Sequence, residues 1–372
     1  MTGRDINGDI PAGSPSVKVG ICLDFPIVDV KQSFLDACRL AFDEALENGI
    51  LDRPARLIIR DVEGLPRGDA HDVVKAWQEL TDEGCVGIIG PMISDNSLAV
   101  KEHMAASQRK VATITWSGTD RQYDEYMFGF GNGNLPEEGY LIAEAIADRG
   151  LKTVAVVFER AAPGYEYAEF FTDACRREGL EIVHSEGVGQ TDRDLTKTVA
   201  RLQARNPDAL AYFGFGLPGI EMNSAFIATD YNPPRYMCTA FINCYVVPQW
   251  MKGLQGWIGV DQYDEENRVG QAMQERFEKR WGYRQENCIP TLSFDCADAM
   301  ARGIGFAQTL TPLAVMKGLE KVKAVPSATG GPGTRISLGQ YNRRAWHGVN
   351  YLVLREINED ASATRLVARF RS

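Results

Sequence analysis

From Val17 onward, short runs of aliphatic and β-branched residues alternate with longer stretches whose apolar positions return every three or four residues. Val17 to Leu23 predicts a buried strand, and after it Phe34, Leu35, Cys38, Ala41, Phe42 and Ala45 fall on one face of a helix. The runs 56–61, 86–90 and 111–115 predict further strands, with helices over 71–84 and 97–108 between them. This is the βαβ alternation of a parallel sheet covered on both faces. After MFGFGNGN (127–134) the pattern restarts: helix 135–150, strand 153–158, helix 165–179, strand 181–187, helix 194–206, strand 209–213 and a helix to about Thr229. Two such blocks in tandem predict an α/β protein of two similarly wound lobes. Toward the end, a strand in 256–263, a helix over 269–281 and a long helix from about Leu292 to Thr309 precede a Gly/Pro-rich loop, ATGGPGTR. Residues 349–357 and 365–370 predict a closing antiparallel pair.

At 372 residues the chain exceeds the roughly 250–300 over which one core keeps growing, which agrees with two lobes. Forty Lys and Arg against fifty Asp and Glu leave a charge of −10, the wrong sign for general attraction to nucleic acid or anionic membrane. No apolar core of a secretory signal precedes Val17, and the run to Leu23 is too short to span a bilayer. The expected location is the cytoplasm for the chain as written, and periplasmic or extracytoplasmic if a leader has been removed. The eight cysteines lie mostly in apolar periodic segments without a CxxC pair, so buried free thiols are expected and no metal site.

One GxGxxG occurs, at Gly214, Gly216 and Gly219, between a strand and a helix. The acid that would hold a ribose about 20 residues on is missing, Thr239 and Ala240 standing there instead, so a glycine-rich turn is the favoured reading and an NAD(P)-dependent enzyme the alternative. Gly129, Gly131 and Gly133 have no such spacing and read as a flexible connection. Hydrolase signatures are absent, and the histidines at 71, 103, 184 and 347 are scattered through polar contexts. No catalytic base and no cofactor are expected. The segment GPMISDNSLA (90–99) turns from an apolar strand directly into a helix, where Ser94 either caps the helix or, with the free N–H groups of the first turn, meets a ligand oxygen. TITWSGTD places Thr115, Ser117 and Thr119 at the next carboxyl edge of the same sheet, where open α/β sheets bind ligands.

In the order and spacing of VKVGICL, RLIIRD, GPMISDNSLA, TITWSGT, MFGFGNGN, TVAVVFERAAPGYEYAEFF, PDALAYFGFG and SFDCADAMARGI, the chain from Val17 onward resembles the branched-chain amino-acid and amide binders of the type I periplasmic-binding-protein family. The resemblance implies two Rossmann-like lobes joined by three crossings, closing on a small ligand by hinge motion. It divides the chain into a flexible 1–16, a lobe of 17–130 plus about 264–340, and a second of 131–263 plus about 341–372. By position it assigns Ser94, Ser117 and Thr119 to a ligand's carboxylate or amide oxygen. The family's second-lobe aromatic falls at Pro163, with Tyr165 as substitute two residues on. The family's glycine-rich first loop is replaced by LDFPIVDVKQ, which adds Asp24 and Asp29. Amino-acid binders carry an acid after the strand RYMCT, whereas no Asp or Glu occurs here from Tyr231 to Val260. The expected ligand is therefore an amide or an apolar or aromatic carboxylate, with Trp116, Phe215 and Phe241 as apolar walls and Asp29 as the one acid able to supply the missing charge. The implied role is non-catalytic capture, either for an ABC permease or as a cytosolic sensor acting on a regulatory protein.

Overall fold

The computed structural model describes residues 6–8, 10–11, 13–24, 28–246, 248–347 and 350–370. The chain divides into two units, one of residues 1–132 and 265–348, the other of 133–264 and 349–372. In chain order the first segment carries β1 (Val17–Leu23), α1 (Val28–Glu47), β2 (Ala55–Asp61), α2 (Ala70–Asp82), β3 (Gly87–Ile89), α3 (Ser94–Ala106), β4 (Ala112–Thr115) and β5 (Met127–Gly129). The second carries α4 (Leu135–Asp148), β6 (Thr153–Glu159), α5 (Ala162–Glu178), β7 (Glu181–Val188), α6 (Thr196–Arg205), β8 (Ala209–Phe213), α7 (Leu217–Thr229), β9 (Arg235–Met237), α8 (Asn243–Val246), α9 (Pro248–Gly253) and β10 (Trp257–Asp261). Then follow α10 (Arg268–Trp281), α11 (Cys288–Gly305), α12 (Pro312–Leu319), the short pair β11 (Val325–Pro326) and β12 (Arg335–Ile336), and finally β13 (Val353–Ile357) and β14 (Thr364–Arg369).

In the first unit the sheet order is β2-β1-β3-β4-β5, all parallel. Its strands read as near-continuous apolar runs because helices cover both faces. On one face Val73, Trp77 and Leu80 of α2 pack with Ile88, Val100 and Met104, and the Trp77 indole donates to Thr113 Oγ1 at 3.0 Å. On the other, α1 meets the returning helices: Cys38 Sγ contacts Ser293 O at 3.6 Å, and Asp36 takes the Tyr283 hydroxyl at 2.9 Å and, on its carbonyl, the Trp281 indole at 3.2 Å. The glycines at 129–133 do not begin a loose connection. Gly129 ends β5, its N–H donates to Arg343 O at 2.8 Å, and Asn132 N donates to Trp116 O at 2.7 Å, with Phe128 and Phe130 fully buried. Because Ala345 N returns a bond to Gly129 O at 2.9 Å, residues 341–347 stay with the first unit, and the second unit resumes at 349 rather than at about 341.

In the second unit the order is β14-β13-β10-β9-β8-β6-β7, parallel from β10 to β7, with β13 and β14 added antiparallel. Phe171 and Tyr167 of α5 pack on Phe213, with ring centroids 4.9 and 5.5 Å apart. The long helix expected from Leu292 to Thr309 starts earlier, at Cys288, where Asn287 caps it, and stops at Gly305; the separate α12 is capped by Thr311. All eight cysteines are buried and free.

The closing strands are fastened by a buried charge. Arg355, 1 % exposed, donates from Nε to Thr364 Oγ1 at 2.9 Å, from Nη1 to Tyr263 O at 3.0 Å and from Nη2 to Thr364 O at 3.0 Å, with the Asp261 carboxylate 4.0 Å away. Removing one partner of such a pair leaves an uncompensated buried charge. Arg355→Ala is expected to lower stability by about 3–5 kcal/mol in urea unfolding, and a loss within experimental error would show that the pair does not hold the strands.

Candidate functional site

The first unit builds its site where β1, β3 and β4 end. Asp24 directly follows β1 and is fully buried. Its Oδ1 accepts from Met92 N at 2.7 Å, and its Oδ2 from Ile93 N at 3.1 Å and Asn96 Nδ2 at 2.7 Å. Asn96 also exchanges bonds with Leu65, accepting its N–H at 3.0 Å and donating to its carbonyl at 3.2 Å. Burial pushes the Asp24 carboxyl up to about 6, against the opposing pull of these donors.

Ser94 does not cap α3. The cap position belongs to Ile93, which has no side-chain cap bond, and Ser94 is the first helical residue. The N–H groups of that first turn have no intrahelical acceptor. Ser117 Oγ donates to Ser94 Oγ at 3.1 Å, and the two residues are 1 % and 8 % exposed. Gln122 fixes this edge by donating to Ser117 O at 2.7 Å while its Oε1 accepts from Thr115 Oγ1. Thr119 caps the 3-10 turn Asp120–Gln122, accepting from Arg121 N. Ser94 and Ser117 are thus brought together, and Thr119 is held two residues beyond. The Trp116 ring packs on Phe34 with centroids 5.1 Å apart, and its indole N–H has no oxygen partner. Asp29 lies in α1, its side chain outside the described residues.

At the corresponding edge of the second unit, Glu159 ends β6 and is fully buried. Its Oε1 accepts from Tyr212 Oη at 2.5 Å and from Gly216 N at 2.9 Å. A carboxylate therefore occupies the Gly214–Gly216 turn where a dinucleotide phosphate would have to sit. The turn needs glycine for that reason: a Cβ at Gly214 would fall 2.3 Å from the Glu159 Cδ. A second buried acid, Glu138 of α4, accepts from Asn134 N at 2.7 Å, Tyr167 Oη at 2.8 Å and Thr239 N at 2.6 Å. The stretch from Tyr231 to Val260 holds no acid of its own, yet a carboxylate reaches its Thr239 from α4. Phe241 is fully buried, with its Cγ 2.0 Å from where a Gly259 Cβ would be, and so packs as core. Phe215 is half-buried and its carbonyl accepts from Asn243. Tyr165 is 55 % exposed and leans on Phe158 at 5.3 Å. Among the described residues, no group of three or more His, Cys, Asp or Glu is placed to hold a metal ion, and no helix is long and apolar enough to cross a membrane.

These buried acids set a pH dependence. Burial raises Asp24 and Asp295 to about 6 and Glu138 to about 7, so each favours the fold when protonated. That stabilisation is complete below their unfolded values of about 4 and is lost as pH rises through 6 to 7. Glu186 acts oppositely: the hydrogen bonds of Arg201 lower it to about 2, so its contribution is present above its unfolded value and lost as pH falls toward 2. The thermal midpoint is expected to rise as pH is lowered from 8 to about 5 and to fall below about 4. A midpoint in scanning calorimetry that is no higher at pH 5 than at pH 8 would contradict this.

The comparisons with known proteins agree with this architecture. A periplasmic binding protein from Bordetella pertussis Tohama I, described as type 1, superposes with a TM-score of 0.79 at 18% identity, covering 95% of this chain and 100% of that one. A leucine-binding protein from Thermotoga maritima MSB8 gives 0.77 at 16% identity over 95% and 98% of the two chains. An ABC-transporter solute-binding protein from R. palustris, solved in complex with benzoate, gives 0.73 at 16% identity over 95% and 96%. Comparison with curated proteins finds no match. A family model described as periplasmic binding protein matches residues 16–355, so the chain belongs to the periplasmic binding protein family, and its two α/β units have the type I fold.

Proposed function

We propose that this chain is the non-catalytic solute-binding component of an ABC-type importer, capturing a small molecule by closure of its two lobes. The observation that carries this reading is the nearly buried hydroxyl pair Ser94–Ser117, 3.1 Å apart at a sheet's carboxyl edge and at the start of a 13-residue helix. Two neutral hydroxyls beside unpaired helix N–H groups hydrogen-bond a ligand oxygen, and they lack the base and nucleophile activation that a reaction would need. Thr119 borders this site, and Trp116 supplies an apolar surface beside it.

The ligand class follows from the polar groups at the two sheet edges. Leucine and benzoate, bound by relatives, both carry an oxygen end on an apolar body. A free amino acid adds an ammonium group, which needs an unengaged carboxylate. Here Glu138 already takes three donors, and Glu159 is fully buried behind the glycine-rich turn. The reading therefore favours an amide or an apolar or aromatic carboxylate.

Titration calorimetry with leucine, 4-methylpentanoate, 4-methylpentanamide, benzoate and benzamide tests this directly. The deaminated compounds are expected to bind more tightly than leucine. Ser94→Ala should weaken the bound compound roughly 10- to 100-fold, while costing under about 1 kcal/mol of stability, because Ile93 and not Ser94 occupies the cap. Unchanged affinity in that variant would remove Ser94 from the site. Small-angle scattering should show a smaller radius of gyration at saturation, and an unchanged radius would dismiss lobe closure.

A further inference from the structure

The end of α3 is charged before any ligand arrives. The N–H groups of Met92 and Ile93, immediately ahead of Ser94, both donate to the fully buried Asp24 carboxylate. A helix N-terminus offers the equivalent of about half a positive charge, and a full carboxylate fixed on it more than cancels that. Asp95, in the first turn and partly buried, adds a second acid to the same end. The segments that carry the site, 86–100 and 111–120, contain no Lys or Arg. What remains to meet a ligand at Ser94 and Ser117 is a pair of neutral hydroxyls and backbone N–H groups, backed by negative charge.

We propose that Asp24 is a specificity-determining residue that biases the Ser94–Ser117 site against anionic ligand ends, so that the bound oxygen is the carbonyl of a neutral amide rather than that of a carboxylate. A carbonyl takes the same hydrogen bonds as a carboxylate without facing like charge across a poorly solvated gap. Burial holds the Asp24 carboxyl near 6, so most of it is ionised at pH 7.5. Asp24 acts through the helix end and need not touch the ligand. The inference rests on the reading of Ser94 as a ligand-binding residue and narrows its ligand class.

The test is the ratio of affinities within two matched pairs, 4-methylpentanamide against 4-methylpentanoate and benzamide against benzoate, measured calorimetrically at pH 7.5. In the unaltered protein the amide of a pair that binds is expected to be at least tenfold tighter. Asp24→Asn and Asp24→Ser are each expected to narrow that ratio at least fivefold by favouring the acid, and two variants are used so that poor folding of one leaves the other to decide. A purely structural tie would weaken amide and acid together and leave the ratio unchanged, which would overturn the proposal. An acid equal to or tighter than its amide in the unaltered protein would overturn it without any variant. Binding of none of the four compounds would instead overturn the underlying reading of the site, and the inference with it.

Discussion

The carboxylate of Asp24, buried at the end of β1, holds the segment that carries the first unit's candidate site. Three donors from the turn and first helical turn converge on it, and through Asn96 the same network reaches Leu65 after β2. An ionised carboxylate removed from water costs several kcal/mol unless its hydrogen bonds are made, so the turn from β3 into α3 is constrained to present those donors. Gly90 is part of that constraint. Its φ is +100°, and a Cβ there would lie 2.0 Å from the Cys22 carbonyl oxygen, so only glycine lets the turn pass this close to β1. Ser94 is then delivered to Ser117 as a consequence of where Asp24 pins the residues before it.

The second unit repeats the device. β6 opens its block as β1 opens the first, and it lies beside β8 as β1 lies beside β3. Glu159 at the end of β6 takes Gly216 N at the start of α7, as Asp24 takes Ile93 N at the start of α3. In both units an acid at the end of the first strand satisfies backbone donors ahead of a helix two strands on. This gives the GxGxxG turn a structural role, since Glu159 fills the space at Gly214 and accepts from Gly216 N. Gly214 makes room for an internal carboxylate, and Gly219 for the end of the Met237 side chain.

The alternation of strands and helices is legible in the sequence because parallel strands buried on both faces leave near-continuous apolar runs, and the helices between them keep a regular stripe. Ser94 and Ser117 are legible because each follows such a run directly. The anchoring acids are not, since their partners lie far along the chain: 68 residues separate Asp24 from Met92, 57 separate Glu159 from Gly216, and 101 separate Glu138 from Thr239. For the same reason the acid-free stretch from Tyr231 to Val260 gives no hint of the carboxylate that reaches Thr239. The one local signal is an acid at the very end of an opening strand, as in VKVGICLD and TVAVVFE. α12 is hidden because Pro312 reads as a loop residue unless Thr311 is recognised as the cap before it.

Affinity and selectivity are supplied by different parts of such a site. Trp116 is nine-tenths buried and already packed on Phe34, so as a wall of the proposed site it would lose little rotamer freedom under a ligand's apolar body. Apolar burial at about 25 cal/mol per Å² rewards any body of suitable size and distinguishes poorly between a branched chain and a ring. Discrimination has to come from the few polar groups, where an unmatched donor or a facing like charge costs more than a methylene gains. In the proposed site, Ser94 and Ser117 would set the position of the ligand oxygen. The charge fixed behind them on Asp24 would then decide which chemical groups can place an oxygen there.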